Sequence, residues 1–356
     1  MKAIILCAGR GTRLRPLTFS NAKHLIPIAN KPVMLYGLEA LVAAGITDIG
    51  VIVGENRSDF VRELGDGAHW GACITYITQE EPRGLAHAVK VARDFIGDET
   101  FVMYLGDNIF QHGLKEAVKL YQLHQPNAIT FLHEVEDPRA YGVAELEGDR
   151  VVRVVEKPKE PRSNWALAGA YIFDPLVFEV IDRLQPSWRG EYEITDAIQG
   201  LIERGARVMP FFVRGWWVDT GNAADMLRAN RLILRDISTR MAPGVSIDER
   251  SQIIGEVILD DGVQIKNSTL RGPVIVGAQS RIEDSFIGSF TSIGREVRIA
   301  HSEIEHSIIM DGCSICNIEG RIDDSVFGRN IALLRADHHP KAHKFLLADD
   351  SQVRLV

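Results

Sequence analysis

From about residue 240 onward, aliphatic residues return every six positions. Ile247, Ile253, Leu259 and Ile265 form one series, Val276 and Ile282 a second, and Ile287, Ile293 and Ile299 a third, with Ile309 and Ile315 following. Spacings of five or eleven join the series. Simple strand alternation has period two and would not hold a period of six over about seventy residues. Glycine sits beside the aliphatic position in Ile254-Gly255, Val276-Gly277, Ile287-Gly288 and Ile293-Gly294, which suits tight corners between very short strands. Three six-residue faces per turn close into a triangular prism with the aliphatic side chains pointing inward, each coil covering the apolar face of its neighbour. About ninety residues of repeat make about five coils.

This repeat resembles that of left-handed β-helix proteins. The preceding part of the chain has a different texture, in which short β-branched runs alternate with helical patterns: Ala3 to Leu6, Met34 to Ala44, Ile49 to Val53, Leu85 to Phe95, Phe101 to Leu105. Strand followed by helix, repeated, predicts an α/β fold with a mainly parallel, Rossmann-like sheet and helices on both faces. The expected division is a catalytic domain over 1–238, a left-handed parallel β-helix over 239–335 and a tail over 336–356. That tail carries His338, His339 and His343 and packs back through Phe345, Leu346 and Leu347. In such a sheet, ligands bind at the carboxyl ends of strands. The turn after Leu6 and the turn Gly106-Asp107-Asn108 are therefore the candidate site.

A chain of 356 residues, 46% of them hydrophobic, can build two cores. Its net charge of −8 gives no general attraction to nucleic acid or to membrane headgroups, so phosphate binding must come from a local arrangement of cations and backbone N–H groups. Met1 to Leu6 is too short for a signal core or a membrane span. Cys7, Cys73, Cys313 and Cys316 accompany no secretory signal and suggest no disulfide framework. The CxxC spacing of Cys313 and Cys316 falls inside the hexapeptide pattern and has no second pair, so it reads as structure. The cytoplasm is the expected compartment.

The segment Leu6-Cys7-Ala8-Gly9-Arg10-Gly11-Thr12-Arg13-Leu14-Arg15-Pro16 sets three arginines and two glycines directly after a strand. Glycine lets backbone N–H groups approach an oxyanion, and guanidinium groups neutralise the remaining charge. Neither a dinucleotide fingerprint nor a P-loop is present, and an isolated Gly-x-Gly is usually only a turn. The ordered run through Lys23, Pro27, Lys31 and Pro32, however, resembles the signature of nucleoside-diphosphate-sugar pyrophosphorylases. Ala8 and His24 depart from the short-form thymidylyltransferases, which carry glycine and glutamine there; the long forms are similar at both positions. The resemblance extends along essentially the whole chain.

Several roles are implied by that resemblance. Leu6, Gly9, Gly11, Thr12 and Arg13 would hold the nucleotide. Gln79 would read the edge of a pyrimidine base, and Gly84 would leave room for it; a side-chain amide can donate and accept together. Asp107, in Leu105-Gly106-Asp107-Asn108, and Asp219, in Trp217-Val218-Asp219, would hold Mg²⁺, which keeps several waters and needs only a few protein oxygens. Tyr141, Gly142, Glu156, Lys157, Leu167, Tyr171 and Arg189 would bind the sugar phosphate, with Glu156 on the hydroxyls, Leu167 and Tyr171 as walls, and Lys157 and Arg189 on the phosphate.

The activity so implied is transfer of a nucleotidyl group from dTTP to glucose 1-phosphate, with Arg13, Lys23, Asp107 and Asp219 as the catalytic residues. UTP is the alternative donor, because the two nucleotides differ by one methyl group and a 2′-hydroxyl. A different class is a bifunctional enzyme whose β-helix is an acyltransferase, for which His301 and His306 are the only histidines within the repeats. Both are expected on the surface, and the β-helix is expected to serve structure and assembly of a homo-oligomer.

Overall fold

Lys2–Leu6 forms the central strand because its alternate side chains are apolar on both sides, the pattern of a strand covered on both faces. Ala3, Ile5 and Cys7 enter one core, while Ile4 and Leu6 enter the other. This computed structural model describes residues 1–335 and 349–353; the expected packing of Phe345, Leu346 and Leu347 lies outside the described residues.

Asp48–Val53 and Phe101–Leu105 flank the central strand, parallel to it, and Cys73–Thr78 extends the parallel side. Beyond Phe101–Leu105 the direction reverses. Trp165–Phe173 runs antiparallel to Phe101–Leu105 and to Ala128–Glu134, and the hairpin of Gly142–Glu147 and Arg150–Glu156 continues from it. With Val208–Phe212 the sheet has nine strands. Helices Val33–Ala43 and Lys115–His124 supply side chains to the first core, and Leu85–Val91, Leu176–Ile181 and Ile194–Glu203 to the second. The α/β sheet with helices on both faces is as the strand–helix alternation requires.

Leu38 is fully buried in the first of these helices. Leu38→Ala should cost about 2–5 kcal/mol in urea unfolding, because the cavity adds to the lost transfer energy. A loss well below about 1 kcal/mol would show that this face does not carry the core.

The later strands form three parallel sheets, starting from Arg240–Met241, Ser246–Ile247 and Gln252–Ile254. This is the left-handed β-helix architecture that the hexapeptide period implies. Val257 lies opposite Val274, and Ile265 opposite Ile282, so these coils take seventeen residues, one fewer than three hexapeptides. That explains the spacings of five and eleven. The interior column of Leu259, Ile265, Leu270, Val276, Ile282, Ile287, Ile293, Ile299, Ile304, Ile309 and Ile315 is buried. Several corners are made by non-glycine residues at positive φ, among them Asn267, Asp284 and His301 at 43°, 46° and 47°. Asn and Asp tolerate this conformation through local hydrogen bonds. Cys313 is buried in the column and Cys316 beside it, both as free thiols.

The compact units do not follow the chain at residue 238. One comprises Met1–Gly11, Asn21–Leu25 and Val33–Asp219; the other comprises Thr12–Ser20, Ile26–Pro32 and Thr220–Val356. The second therefore holds the β-helix, the helix Ala223–Arg235 and two short pieces of the N-terminal signature. Among the described residues, no helix is long and apolar enough to cross a membrane.

Candidate active site

The two turns singled out by their position at strand ends are neighbours. Leu6 is in register with Leu105, and the Gly106 N–H donates to the Leu6 carbonyl at 3.1 Å. A Cβ on Gly106 would stand 2.5 Å from Cys7 Sγ and 3.1 Å from the Leu6 carbonyl, so glycine is what allows the close approach. Gly9 is similarly constrained: its Cβ would lie 3.0 Å from Lys23 Cε. Gly11 adopts φ 63°. Thr12 and Arg13 follow directly in the chain and are exposed, in a 3₁₀ turn, Thr12–Leu14, whose last residue, Leu14, is buried.

Asp107 stands just after the Phe101–Leu105 strand and is only 7% exposed. Its Oδ2 is ion-paired with Lys23 Nζ, and its Oδ1 accepts from Asn108 Nδ2 at 2.9 Å. Burial alone would raise its pKa, but the Lys23 charge and the hydrogen bonds from Lys23 and Asn108 outweigh it and hold the carboxyl below the usual range. His24, also buried, is pushed down to about 3 by burial and by the Lys23 charge, against the pull of Asp107. The imidazole is therefore neutral, and Lys23 supplies the positive charge. Burial and Asp107 together push the Cys7 thiol well up, against Lys23.

Asp219 reaches the same place through pairing. Trp217–Asp219 runs antiparallel to Asn108–Phe110, with Asp219 opposite Asn108 and Trp217 opposite Phe110. Asp107, in the turn just before Asn108–Phe110, and Asp219, at the end of Trp217–Asp219, are more than a hundred residues apart in sequence and are thus brought to the same end of this strand pair. The donor set, hard carboxylate oxygens beside an exchangeable ammonium, fits a divalent cation that retains waters. The pair is tied by Asn108, whose Oδ1 accepts from Trp217 Nε1 at 2.6 Å and whose backbone carbonyl accepts from Tyr104 OH at 2.6 Å. Asn108 belongs to the turn singled out from the sequence, but no role is assigned to it there. Its bonds with Asp107 and Tyr104 are local, but the one from Trp217 comes from a distant segment that no local pattern reveals. A separate group, Glu305, His306 and Asp323, lies within metal-ligand spacing on the β-helix, but Arg321 already donates to Glu305 at 2.7 Å.

Gln79 is buried at the end of Cys73–Thr78. Its Nε2 donates to the Gly84 carbonyl at 3.3 Å and meets His87 Nδ1 at 2.9 Å. Because a carbonyl can only accept, the Gly84 contact fixes the amide's orientation. Gly84 has a further requirement: at φ +106°, its Cβ would lie 2.5 Å from the Tyr192 carbonyl. The glycine accommodates the 190s backbone as well as any ligand. Gly84→Ala should therefore displace the Tyr192 segment and raise the KM for the nucleotide by roughly tenfold. Steady-state kinetics at saturating sugar phosphate would test this; an unaltered KM would show that the segment yields without cost.

Several of the residues expected at the sugar phosphate meet at the hairpin of Gly142–Glu147 and Arg150–Glu156. Gly142 and Glu156 are register partners, and a Cβ on Gly142 would stand 2.6 Å from Thr195 Cγ2 and 3.3 Å from Glu156 Oε2. Thr195 Oγ1 donates to Glu156 Oε2 at 3.3 Å. Lys157 Nζ lies 3.7 Å from Glu156 Oε1. Arg189 lies 3.4 Å from Glu156, 3.2 Å from Glu191 and 3.4 Å from Glu193. The two cations expected at a phosphate are here paired with carboxylates. Leu167 and Tyr171 are buried on the neighbouring strand, where burial and the nearby Glu156 push the Tyr171 phenol up. The Tyr141 ring packs 5.4 Å from Trp217. Thr195 and Glu193 were missed from sequence because only their contacts with Glu156 and Arg189 mark them.

A model of the nucleotidyl transferase family matches residues 2–236. A glucose-1-phosphate thymidylyltransferase of Streptomyces antibioticus is 47% identical over 357 residues, covering 100% of this chain and 99% of its own length. One from Streptomyces griseus is 43% identical over 356 residues, with 100% and 99% covered. A crystal structure of UDP-glucose pyrophosphorylase with UDP-glucose superposes with a TM-score of 0.60 at 28% identity, covering 66% of this chain and 99% of that one.

Proposed function

The chain belongs to the nucleotidyl transferase family, and from that premise we propose that it transfers a thymidylyl group from dTTP to glucose 1-phosphate, forming dTDP-glucose and pyrophosphate. The observation that carries this reading is the pairing that sets Asp219 opposite Asn108, next to Asp107 in the preceding turn, with Lys23 on Asp107. Similarity at 47% across the full length supports thymidine over uridine; the UDP-glucose enzyme is similar at 28% over two thirds of the chain.

In this reading an oxygen of the sugar phosphate attacks the α-phosphorus of dTTP in line, and the bond to the bridging oxygen of pyrophosphate breaks. The attacking oxygen is already ionised at neutral pH, so no general base is required. The residues must hold two polyanions in register and offset their charge. Arg13 takes the charge that develops on the departing pyrophosphate, and Lys23 assists. Lys157 and Arg189 leave their carboxylate partners for the sugar phosphate, Glu156 accepts from sugar hydroxyls, and Gly142 offers its backbone. Leu167, Tyr171 and Tyr141 wall the sugar. Leu6, Gly9, Gly11 and Thr12 line the nucleotide, and Gln79 with Gly84 faces its base.

Proteins of this family generally use a divalent metal. Asp107 and Asp219 would hold Mg²⁺, which when bound offsets charge on the α-phosphate. Residues 1–238 carry the chemistry on this reading, 239–335 form the β-helix, and the enzyme works as a homo-oligomer in the cytoplasm. His306, paired with Asp323 at 2.9 Å, and the largely exposed His301 serve as corner residues.

A pyrophosphate-release assay over four nucleoside triphosphates and several sugar 1-phosphates tests the assignment. The highest kcat/KM should fall on dTTP with glucose 1-phosphate. Preference for UTP would reassign the donor, and turnover with acetyl-CoA and an amino sugar would favour the acyltransferase.

A further inference from the structure

The unit that contains the β-helix also contains two pieces of the N-terminal signature, Thr12–Ser20 with Arg13 and Ile26–Pro32 with Lys31. The second piece is a minimal hairpin in which Pro27 pairs with Pro32 and Ile28 with Lys31. Its two turn residues, Ala29 and Asn30, both have positive φ, 48° and 60°. Such a turn favours glycine and asparagine, and alanine at positive φ is uncommon and strained. A strained turn persists only when its surroundings over-determine it.

The surroundings here come from the second half of the chain. The Ala29 N–H donates to Asn230 Oδ1 at 2.9 Å, and Asn230 Nδ2 donates to the Phe290 carbonyl at 3.0 Å. Asn230, on the helix Ala223–Arg235, is completely buried, so this one amide bridges the hairpin to a β-helix corner. Asn30 Nδ2 donates to the Ile293 carbonyl at 2.6 Å. Ala29 also packs with Leu234 and Ile275. The first piece is held too: a Cβ on Gly328 would stand 3.2 Å from Leu17 Cδ2, so Leu17 lies against bare β-helix backbone. Arg15 lies 3.9 Å from Asp350.

We infer that the β-helix is a working part of triphosphate binding, with Asn230, Asn30 and the Leu17–Gly328 contact positioning the two signature segments that carry Arg13 and Lys31. The inference rests on the reading of this chain as a nucleotidyltransferase. It gives the β-helix a role beyond scaffold and assembly.

The test uses the full-length chain with Asn30→Asp, which keeps the shape but removes the donor to Ile293, and Gly328→Val, which displaces Leu17. Asn230→Ala is the third variant. The dTTP Kd is measured by calorimetry without sugar phosphate, kcat and both KM values by pyrophosphate release, and folding by thermal melting. The expected result is a dTTP Kd weaker by roughly tenfold and kcat lower by a similar factor, with the glucose 1-phosphate KM changed less than about twofold. Folded Asn30→Asp and Gly328→Val proteins with wild-type dTTP Kd would overturn the inference. So would a uniform loss of activity that tracks the folded fraction while the Kd of the folded protein stays the same. Failure of the wild-type protein to release pyrophosphate would count against the function alone, since the Kd comparison is independent of turnover.

Discussion

Arg13→Ala should lower kcat by about a hundredfold to a thousandfold while weakening dTTP binding much less, because the guanidinium is used most as pyrophosphate departs. Loss of one such contact typically costs about 3–4 kcal/mol in the transition state. The residue is exposed in its turn, so removal of the side chain should leave the melting temperature close to wild type. Arg13→Lys should recover part of the rate, since an ammonium keeps the charge but loses the planar fork that matches phosphate oxygens. Single-turnover kinetics separates chemistry from product release. An unchanged kcat in Arg13→Ala would remove Arg13 from the mechanism.

Asp107→Asn should be damaging in two distinguishable ways. Both partners of the Lys23–Asp107 pair are largely buried, with side-chain exposures of 17% and 11%, and neutralising one leaves the other charge poorly compensated. Breaking a buried pair in this way costs about 3–5 kcal/mol, which a thermal melt or urea titration would read. Independently, the Mg²⁺ requirement should rise, and kcat/KM at moderate Mg²⁺ should fall by about a hundredfold or more. Asp219→Asn should share the Mg²⁺ effect. Calorimetric titration of Mg²⁺ in the presence of dTTP provides a readout separate from turnover. Wild-type Mg²⁺ dependence in either variant would exclude that residue as a ligand.

Much of this molecule is legible in its chain because the relevant signals are local. The six-residue aliphatic period specifies a coil whatever surrounds it, and the five-residue spacings already record that some coils are a residue short, as the pairing of Val257 with Val274 bears out. The two candidate turns are equally readable, because a parallel sheet places its strand ends together. The register of Leu6 with Leu105 follows from that rule. Gly106 shows where the signal ends: its place in the motif was visible, but its contact with Cys7 was not.

The residue types, the two architectures and the strand-end location of the site were determined by the sequence itself, through periodicity and turn chemistry that act over a few residues. Tertiary structure alone decided which distant residues share a task. It set Asp219 opposite Asn108, made His24 a buried neutral imidazole, fitted Gly84 against Tyr192, and joined Thr12–Ser20 and Ile26–Pro32 to the unit of the β-helix. Each depends on register, desolvation or close approach between segments separated by tens to hundreds of residues. Those quantities arise only when the cores close, and no local pattern encodes them.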